Sequence, residues 1–315
     1  MGNSESQPEA PPDKLVAPLA ITTIDVKELG DGKVSFSKES VGDKNNVSAQ
    51  IMKNVVLASA EDASLPIYEA TEVADAAAFR RLIEAEAKDR DATHCMLYIH
   101  GFTNTPGVVF EAAKDMNKYL EGKKCFVIPI IWPAEAVDYG AQKEGAPAAA
   151  AALRSLLPKL SNNNKVPISL MCHSMGNFVL GQFAPGDKDE APAFKFDSIF
   201  MVASDIRATT FDKEEPDPED LNRGDNILRI VKDTGHVHVL YHWWDMALLG
   251  RRVLNGGRTA LGKVGFFQNP QEKKILADAR IIQKDCGSFD MSVDRLVGHG
   301  YHTSKDAMEY YLANM

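Results

Sequence analysis

Apolar and polar positions along this chain fall into two regimes. In the first, residues 21–26 (ITTIDV) and 47–58 (VSAQIMKNVVLA) have strand character. Over 73–90 (VADAAAFRRLIEAEAKDR) apolar residues recur at helical spacing with charges between them, which predicts an amphipathic helix. Beyond that point short, continuously apolar runs alternate with helical stretches. CMLYIH (95–100), CFVIPIIW (125–132), VPISLMC (166–172), FDSIFMVAS (196–204) and HVHVLYHW (236–243) read as strands buried on both faces, and KKILADARIIQK (273–284) as a weaker one. Pro129 marks a bulge or an early end in its strand. Asn104 or Thr105 caps a helix opened by Pro106, with Val109, Ala113, Met116 and Leu120 along one face. An alanine-rich helix is predicted over about 146–160, stopping near Pro158, and a short one over 175–183.

Strands alternating with helices predict an α/β fold with a mainly parallel central sheet and helices on both faces. Right-handed crossovers then gather the functional loops at the strands' C-terminal ends. Residues 1–18 read as a flexible polar tail. The stretches 206–226 and 250–265 are long connections, either of which can cover a pocket.

Composition narrows the function classes. Among 315 residues, 35 Lys and Arg face 44 Asp and Glu, for a net charge of −9. No basic block accompanies that excess, which argues against nucleic acid as a main partner. The longest acidic run, Asp212 to Asp220, is broken by prolines and reads as a solvated loop. Cys95, Cys125, Cys172 and Cys286 form no CxxC pair, so a zinc or dithiol site has no basis and a reducing, cytoplasmic compartment is expected. His236 and His238 share a strand face without an evident third metal ligand. No apolar run approaches the ~18 residues of a membrane span. The N-terminal segment has no signal-peptide core, although Met1-Gly2 followed by Ser6 fits the loose pattern for N-terminal lipidation.

The sharpest chemical signal is Cys172-His173-Ser174-Met175-Gly176, directly after VPISLM. A strand, a serine and a small residue leading into a helix make a nucleophile elbow, a strained turn that projects the hydroxyl above the sheet edge. Small residues are needed two before and two after the serine, because strand and helix pass close together. Gly176 meets the second requirement, and Cys172 replaces the usual first glycine. The second signal is His100-Gly101-Phe102 at the end of an apolar strand. Acyl transfer needs two N–H donors for an oxyanion. Met175, after the serine, is placed to give one, and Phe102 the other.

These pieces resemble the serine α/β-hydrolases, especially a bacterial esterase/lipase-like branch long known only as a domain of unknown function. The likeness spans about residues 95–305. It rests on YIHGF, IIWP with Tyr139, LMCHSMGN, MVASDI, YHWWDMAL and GHGYH. The resemblance implies an α/β-hydrolase fold and a Ser-Asp-His triad in that chain order, with no cofactor and no metal. Ser174 is then the nucleophile. Asp245 in the Asp-x-Ala-Leu segment is the expected acid, with Asp205 as the alternative. His299 is the expected base, with His302 as the alternative. Because Ser174 and His299 must meet, 19–315 is expected to be one domain, with 19–94 extending the sheet of a 95–305 catalytic core. The expected partner is a small acyl ester. Amide or thioester hydrolysis by the same triad, and a non-catalytic scaffold on this fold, are the competing readings. Trp243, Trp244, Phe266 and Phe267 read as core or as the wall of an apolar pocket.

Overall fold

A computed structural model describes residues 15–24, 26–36, 49–59, 67–133, 139–161, 165–183, 194–210, 227–230, 234–254, 259–265, 280–289 and 298–315. Gly2, the acidic run Asp212 to Asp220, Phe266, Phe267 and most of the 273–284 stretch lie outside these residues.

The strands are β1 (Leu15–Thr22), β2 (Val26–Gly30), β3 (Lys33–Phe36), β4 (Gln50–Ser59), β5 (Ile67–Glu72), β6 (His94–Ile99), β7 (Cys125–Ile131), β8 (Ile168–His173), β9 (Ser198–Val202), β10 (His236–Tyr241) and β11 (Ile281–Asp285). They form one 11-stranded sheet in the order β11-β10-β9-β8-β6-β7-β1-β4-β5-β3-β2. From β11 to β1 neighbours are parallel, and from β1 through β4, β5 and β3 to β2 they are antiparallel. Strand β1 begins at Leu15, inside the stretch read as tail. Its LVAPLAIT sequence pairs with both β4 and β7, and ladder bonds outweigh the proline-rich start.

The helices are α1 (Ala76–Asp89), α2 (Pro106–Tyr119), α3 (Tyr139–Ser161), α4 (Gly176–Gly181), α5 (Met246–Leu254), α6 (Leu261–Val264) and α7 (Lys305–Ala313). Both α1 and α2 start at side-chain caps, Asp75 accepting from Ala78 N and Thr105 from Val108 N. Helix α3 departs from expectation: it begins earlier and runs past Pro158 to Ser161. Leu153, Leu156, Leu157 and Leu160 are buried along it, and that packing carries the helix over the missing N–H.

Every residue of β7, β8 and β9 is buried, as is all of β6 after His94. Alternate residues face opposite layers. Cys95, Leu97 and Ile99 of β6 join Phe79 and Ile83 of α1, Leu153 of α3 and Phe178 of α4 in one core. Met96 and Tyr98 join Phe110 and Met116 of α2 and Met308 of α7 in the other. This doubly covered, mostly parallel sheet is the fold class expected from the alternating pattern. Chain order reverses at β6, which lies between β7 and β8. Ligand crevices in such sheets open at that reversal, outside the strands' C-terminal ends.

Candidate active site

Ser174 follows β8 at the reversal point and has φ 51°, a left-handed conformation rare for a side-chain-bearing residue. Thr103, after β6, and Ala203, after β9, also have positive φ, at 57° and 46°. Three adjacent strands thus end in strained turns, each costing roughly 1–3 kcal/mol, and such strain gathers at functional sites. Local bonds hold the turn. Ser174 N–H donates to Val202 O at 2.9 Å, and the buried Asn177 Nδ2 donates to Cys172 O at 3.0 Å and to Ser174 O at 2.9 Å.

The elbow is crowded as its sequence requires. A Cβ on Gly176 would stand 2.7 Å from Ile99 O and 2.8 Å from His100 O. A Cβ on Gly101 would stand 2.8 Å from Ser174 Cβ. The His100-Gly101-Phe102 loop therefore lies directly against Ser174. Met175 is fully buried at the N-cap of α4, where backbone N–H groups have no acceptor within the helix. Phe102 is partly buried against the core.

His100 fixes that loop. Its Nδ1 donates to Gly101 O at 3.0 Å, and its Nε2 accepts from Trp132 N at 3.3 Å. Trp132 Nε1 donates back to His100 O at 2.9 Å. Burial pushes the His100 pKa down to about 4, so the ring is neutral, as both bonds demand.

Asp245 and His299 meet. Nδ1 of His299 donates to Asp245 Oδ2 at 2.7 Å, and the carboxylate is wholly buried. The other oxygen, Oδ1, accepts from Leu248 N at 3.0 Å, so Asp245 also caps α5. With Nδ1 donating, Nε2 of the neutral ring is its accepting nitrogen. The His299 ring centroid lies 4.8 Å from that of His173, the residue before Ser174. Asp205 occupies a different position: it is buried after β9, and its N–H reaches Ser174 O at 3.3 Å. His302 is buried and stacked on His173, with Nε2 3.1 Å from Tyr98 Oη. Burial pushes its pKa down to about 3.

Tyr301 did not stand out in the sequence. Its hydroxyl donates to Leu240 O at 2.9 Å and accepts from Ala203 N at 3.0 Å, pinning the His299 segment to the ends of β9 and β10. Gly262 was missed too. It packs against the Ala203–Ser204 backbone with no room for a side chain. The only local signal for either was Tyr301's place between two histidines. Trp243 and Trp244 line no core: they are 59 % and 54 % exposed, next to Asp245. His238 bonds Tyr310 Oη through Nδ1 at 2.9 Å and stacks on Phe200, and no cluster of three metal-ligating side chains occurs among the described residues. All four cysteines are free and buried. No helix among the described residues is long and apolar enough to cross a membrane.

No curated protein matches the chain. Among solved structures, esterase B from Lactobacillus rhamnosis, solved with a tributyrin phosphonate, aligns over 94 % of this chain and 84 % of its own at 11 % identity, with a TM-score of 0.40. An acetyl ester-xyloside bifunctional hydrolase from Caldicellulosiruptor lactoaceticus aligns over 70 % of this chain and 83 % of its own at 14 % identity, with a TM-score of 0.37. Likeness at that level says nothing about chemistry. The family model described as an alpha/beta hydrolase of unknown function (DUF900) matches residues 75–314, three quarters of the sequence and all of the site. The chain belongs to that α/β-hydrolase family.

Proposed function

We propose that this protein is a serine hydrolase that cleaves carboxylic esters through an acyl-enzyme, with Ser174 as nucleophile, His299 as base and Asp245 as the acid that orients it. One observation carries the reading. The buried Asp245 carboxylate holds Nδ1 of His299 at 2.7 Å, leaving Nε2 as the base, in a ring whose centroid is 4.8 Å from that of His173, the residue before the strained Ser174. The carboxylate on the His299 ring is that of Asp245, and His302 Nε2 is paired with Tyr98 Oη, which supports the first choice of acid and base over the alternatives.

The chemistry follows from the roles. His299 Nε2 takes the Ser174 hydroxyl proton as Oγ attacks the acyl carbonyl. The oxyanion accepts from the N–H groups of Phe102 and Met175. The tetrahedral intermediate collapses, and the alcohol leaves with the proton from His299. Water then attacks the acyl-enzyme, with His299 again taking the proton, and the carboxylic acid departs. Asp245 stabilises the imidazolium at both stages. No step needs a metal or organic cofactor. The net charge of −9 without a basic block argues against nucleic acid as a partner, and the buried free thiols support a reducing compartment.

A fluorophosphonate probe should label the wild type at Ser174 and leave Ser174→Ala untouched. p-Nitrophenyl esters of rising chain length, run beside anilides and thioesters, should show esters turned over fastest. Equal ester turnover by wild type and Ser174→Ala would overturn the proposal.

A further inference from the structure

Two buried imidazoles, His173 and His302, have no part in the acyl transfer just described. Nε2 of His173 lies 3.1 Å from the backbone oxygen of His299. A carbonyl only accepts, so Nε2 carries the proton and Nδ1 is bare. A Cβ on Gly101 would stand 3.1 Å from that Nδ1, so the ring's other edge faces the His100-Gly101-Phe102 loop. His302 stacks flat on the ring, with centroids 3.7 Å apart and planes 19° apart. Tyr98 Oη, 3.1 Å from His302 Nε2, backs the stack. The single His173 ring thus touches all three parts of the site. It is covalently next to Ser174, hydrogen-bonded to the backbone of His299, and packed against the oxyanion loop.

We infer that His173 is a positioning residue that sets the spacing between Ser174 and His299, with His302 and Tyr98 as its backing. The inference rests on the triad reading above. The need for such a spacer follows from the fold. His299 lies in neither helix nor strand, so its place is set by bonds outside regular structure. Asp245 holds its ring from one side, and a donor on its own carbonyl sets how far the backbone stands from the elbow. A misplacement of about 1 Å at a reacting atom can cost on the order of 10²-fold in rate. The spacer must also be uncharged, because His299 becomes a cation during each half-reaction. Burial holds both His173 and His302 well below the ordinary histidine range, and each ring's nearness to the other histidines adds to the shift.

The test compares two substitutions in the full chain. His173→Gln keeps an N–H donor near the place of Nε2, whereas His173→Leu keeps bulk and loses the donor. With p-nitrophenyl esters, His173→Gln should retain kcat within about threefold, the cost of one imperfect hydrogen bond. His173→Leu should lose on the order of 10²-fold in kcat with KM nearly unchanged. A wild-type kcat in His173→Leu, or equal losses in both variants, would overturn the spacer. NMR gives a second reading that does not depend on turnover. The wild type should show His173 protonated at Nε2 and a low-field proton for the His299–Asp245 bond, which His173→Gln keeps and His173→Leu shifts or loses. The Nδ1–H form of His173, or an identical low-field signal in both variants, would refute the inference even where fluorophosphonate labelling of Ser174 succeeds. If that labelling fails, the hydrolase reading falls while the NMR arm still decides the spacer.

Discussion

In the antiparallel arm, Gly30 and Gly32 turn the chain between β2 and β3 at φ 90° and 73°, with nothing within 4 Å of where a Cβ would stand. Where β6 meets β8, Gly101 and Gly176 avoid left-handed backbone, yet a Cβ on either would come within 2.8 Å of a neighbouring heavy atom. The first pair is glycine for conformation, the second for space. The strands show the same contrast. Lys27–Gly30 of β2 are exposed, while β8 is buried throughout. The outer strands β2, β3 and β5 bury side chains toward one core only and should tolerate change. Strands β6 to β9 are packed on both faces and three of them end in strained turns, so small changes there should reach the chemistry.

The sharpest break should come from Asp245→Asn. An amide can keep the cap to Leu248 N, so the fold should survive. It cannot stabilise an imidazolium, and it favours the wrong tautomer of His299. The corresponding change in the serine-protease triad costs about 10⁴-fold in kcat, and a loss of that order is expected here with little change in Tm. Steady-state kinetics beside thermal melting separates the two. A hundredfold loss or less would mean that Asp245 is not the orienting acid.

Gly176→Ala comes next. Its Cβ meets Ile99 O and His100 O, backbone atoms of a buried parallel strand that cannot swing aside. A loss of about 3 kcal/mol is expected, at the upper end for overpacking, together with most of the activity. Urea titration measures it. A loss under about 1 kcal/mol would show that α4 can back away from β6, and that the junction is looser than its distances imply.

Acid should separate the two halves without any mutation. All 8 histidines lie between His94 and His302, none in the arm. His100 is held down to about 4, His302 to about 3, and His173 well below its ordinary value, in each case chiefly by burial. Depressed histidines leave the native state neutral while the unfolded chain takes up protons below about pH 6.5. Stability is therefore full above that pH and falls as pH drops toward the native values, by about 1 kcal/mol per histidine between pH 7 and 5.5. Hydrogen exchange at both pH values should show the ends of β6 and β8 losing protection. A pH-independent unfolding free energy across that window would contradict the neutral imidazoles.

The same contrast governs what the sequence reveals. Continuous apolar runs made β6, β7, β8 and β9 legible, because burial on both faces leaves few alternatives. Ser174 and the Gly101 loop were legible because close approach demands small residues at fixed offsets. Asp245 stood ahead of Asp205 only through the resemblance of its Asp-x-Ala-Leu segment, since both follow adjacent strands and no local pattern separates them. The contacts of Tyr301, Trp132 and His173 join segments far apart in the chain and leave no local pattern. Pro158 misled because propensity is local while the leucine packing that overrides it is not. Trp243 and Trp244 misled because residue type alone does not say which side of the sheet edge a turn presents. The β2–β3 hairpin was missed altogether: its strands are short and largely polar, and its glycines signal a turn without saying what it joins.

The smallest predicted effect lies in that hairpin. Gly32 has φ 73°, where an alanine is strained by roughly 1–2 kcal/mol. Open space around it adds no clash. Alanine also removes freedom from the unfolded chain, which returns about 0.4–1 kcal/mol where the native backbone suits it. Here the backbone does not suit it, so the strain dominates and Gly32→Ala should lose about 1 kcal/mol. Ester turnover and fluorophosphonate labelling should be unchanged, because the Gly32 turn lies at the far end of the sheet from the elbow, with open space around it. A chevron or urea titration beside kinetics tests both halves of the claim. If this substitution lowered kcat at constant folding, the arm would be mechanically coupled to the elbow, and the division of the sheet into a tolerant arm and a demanding edge would fail.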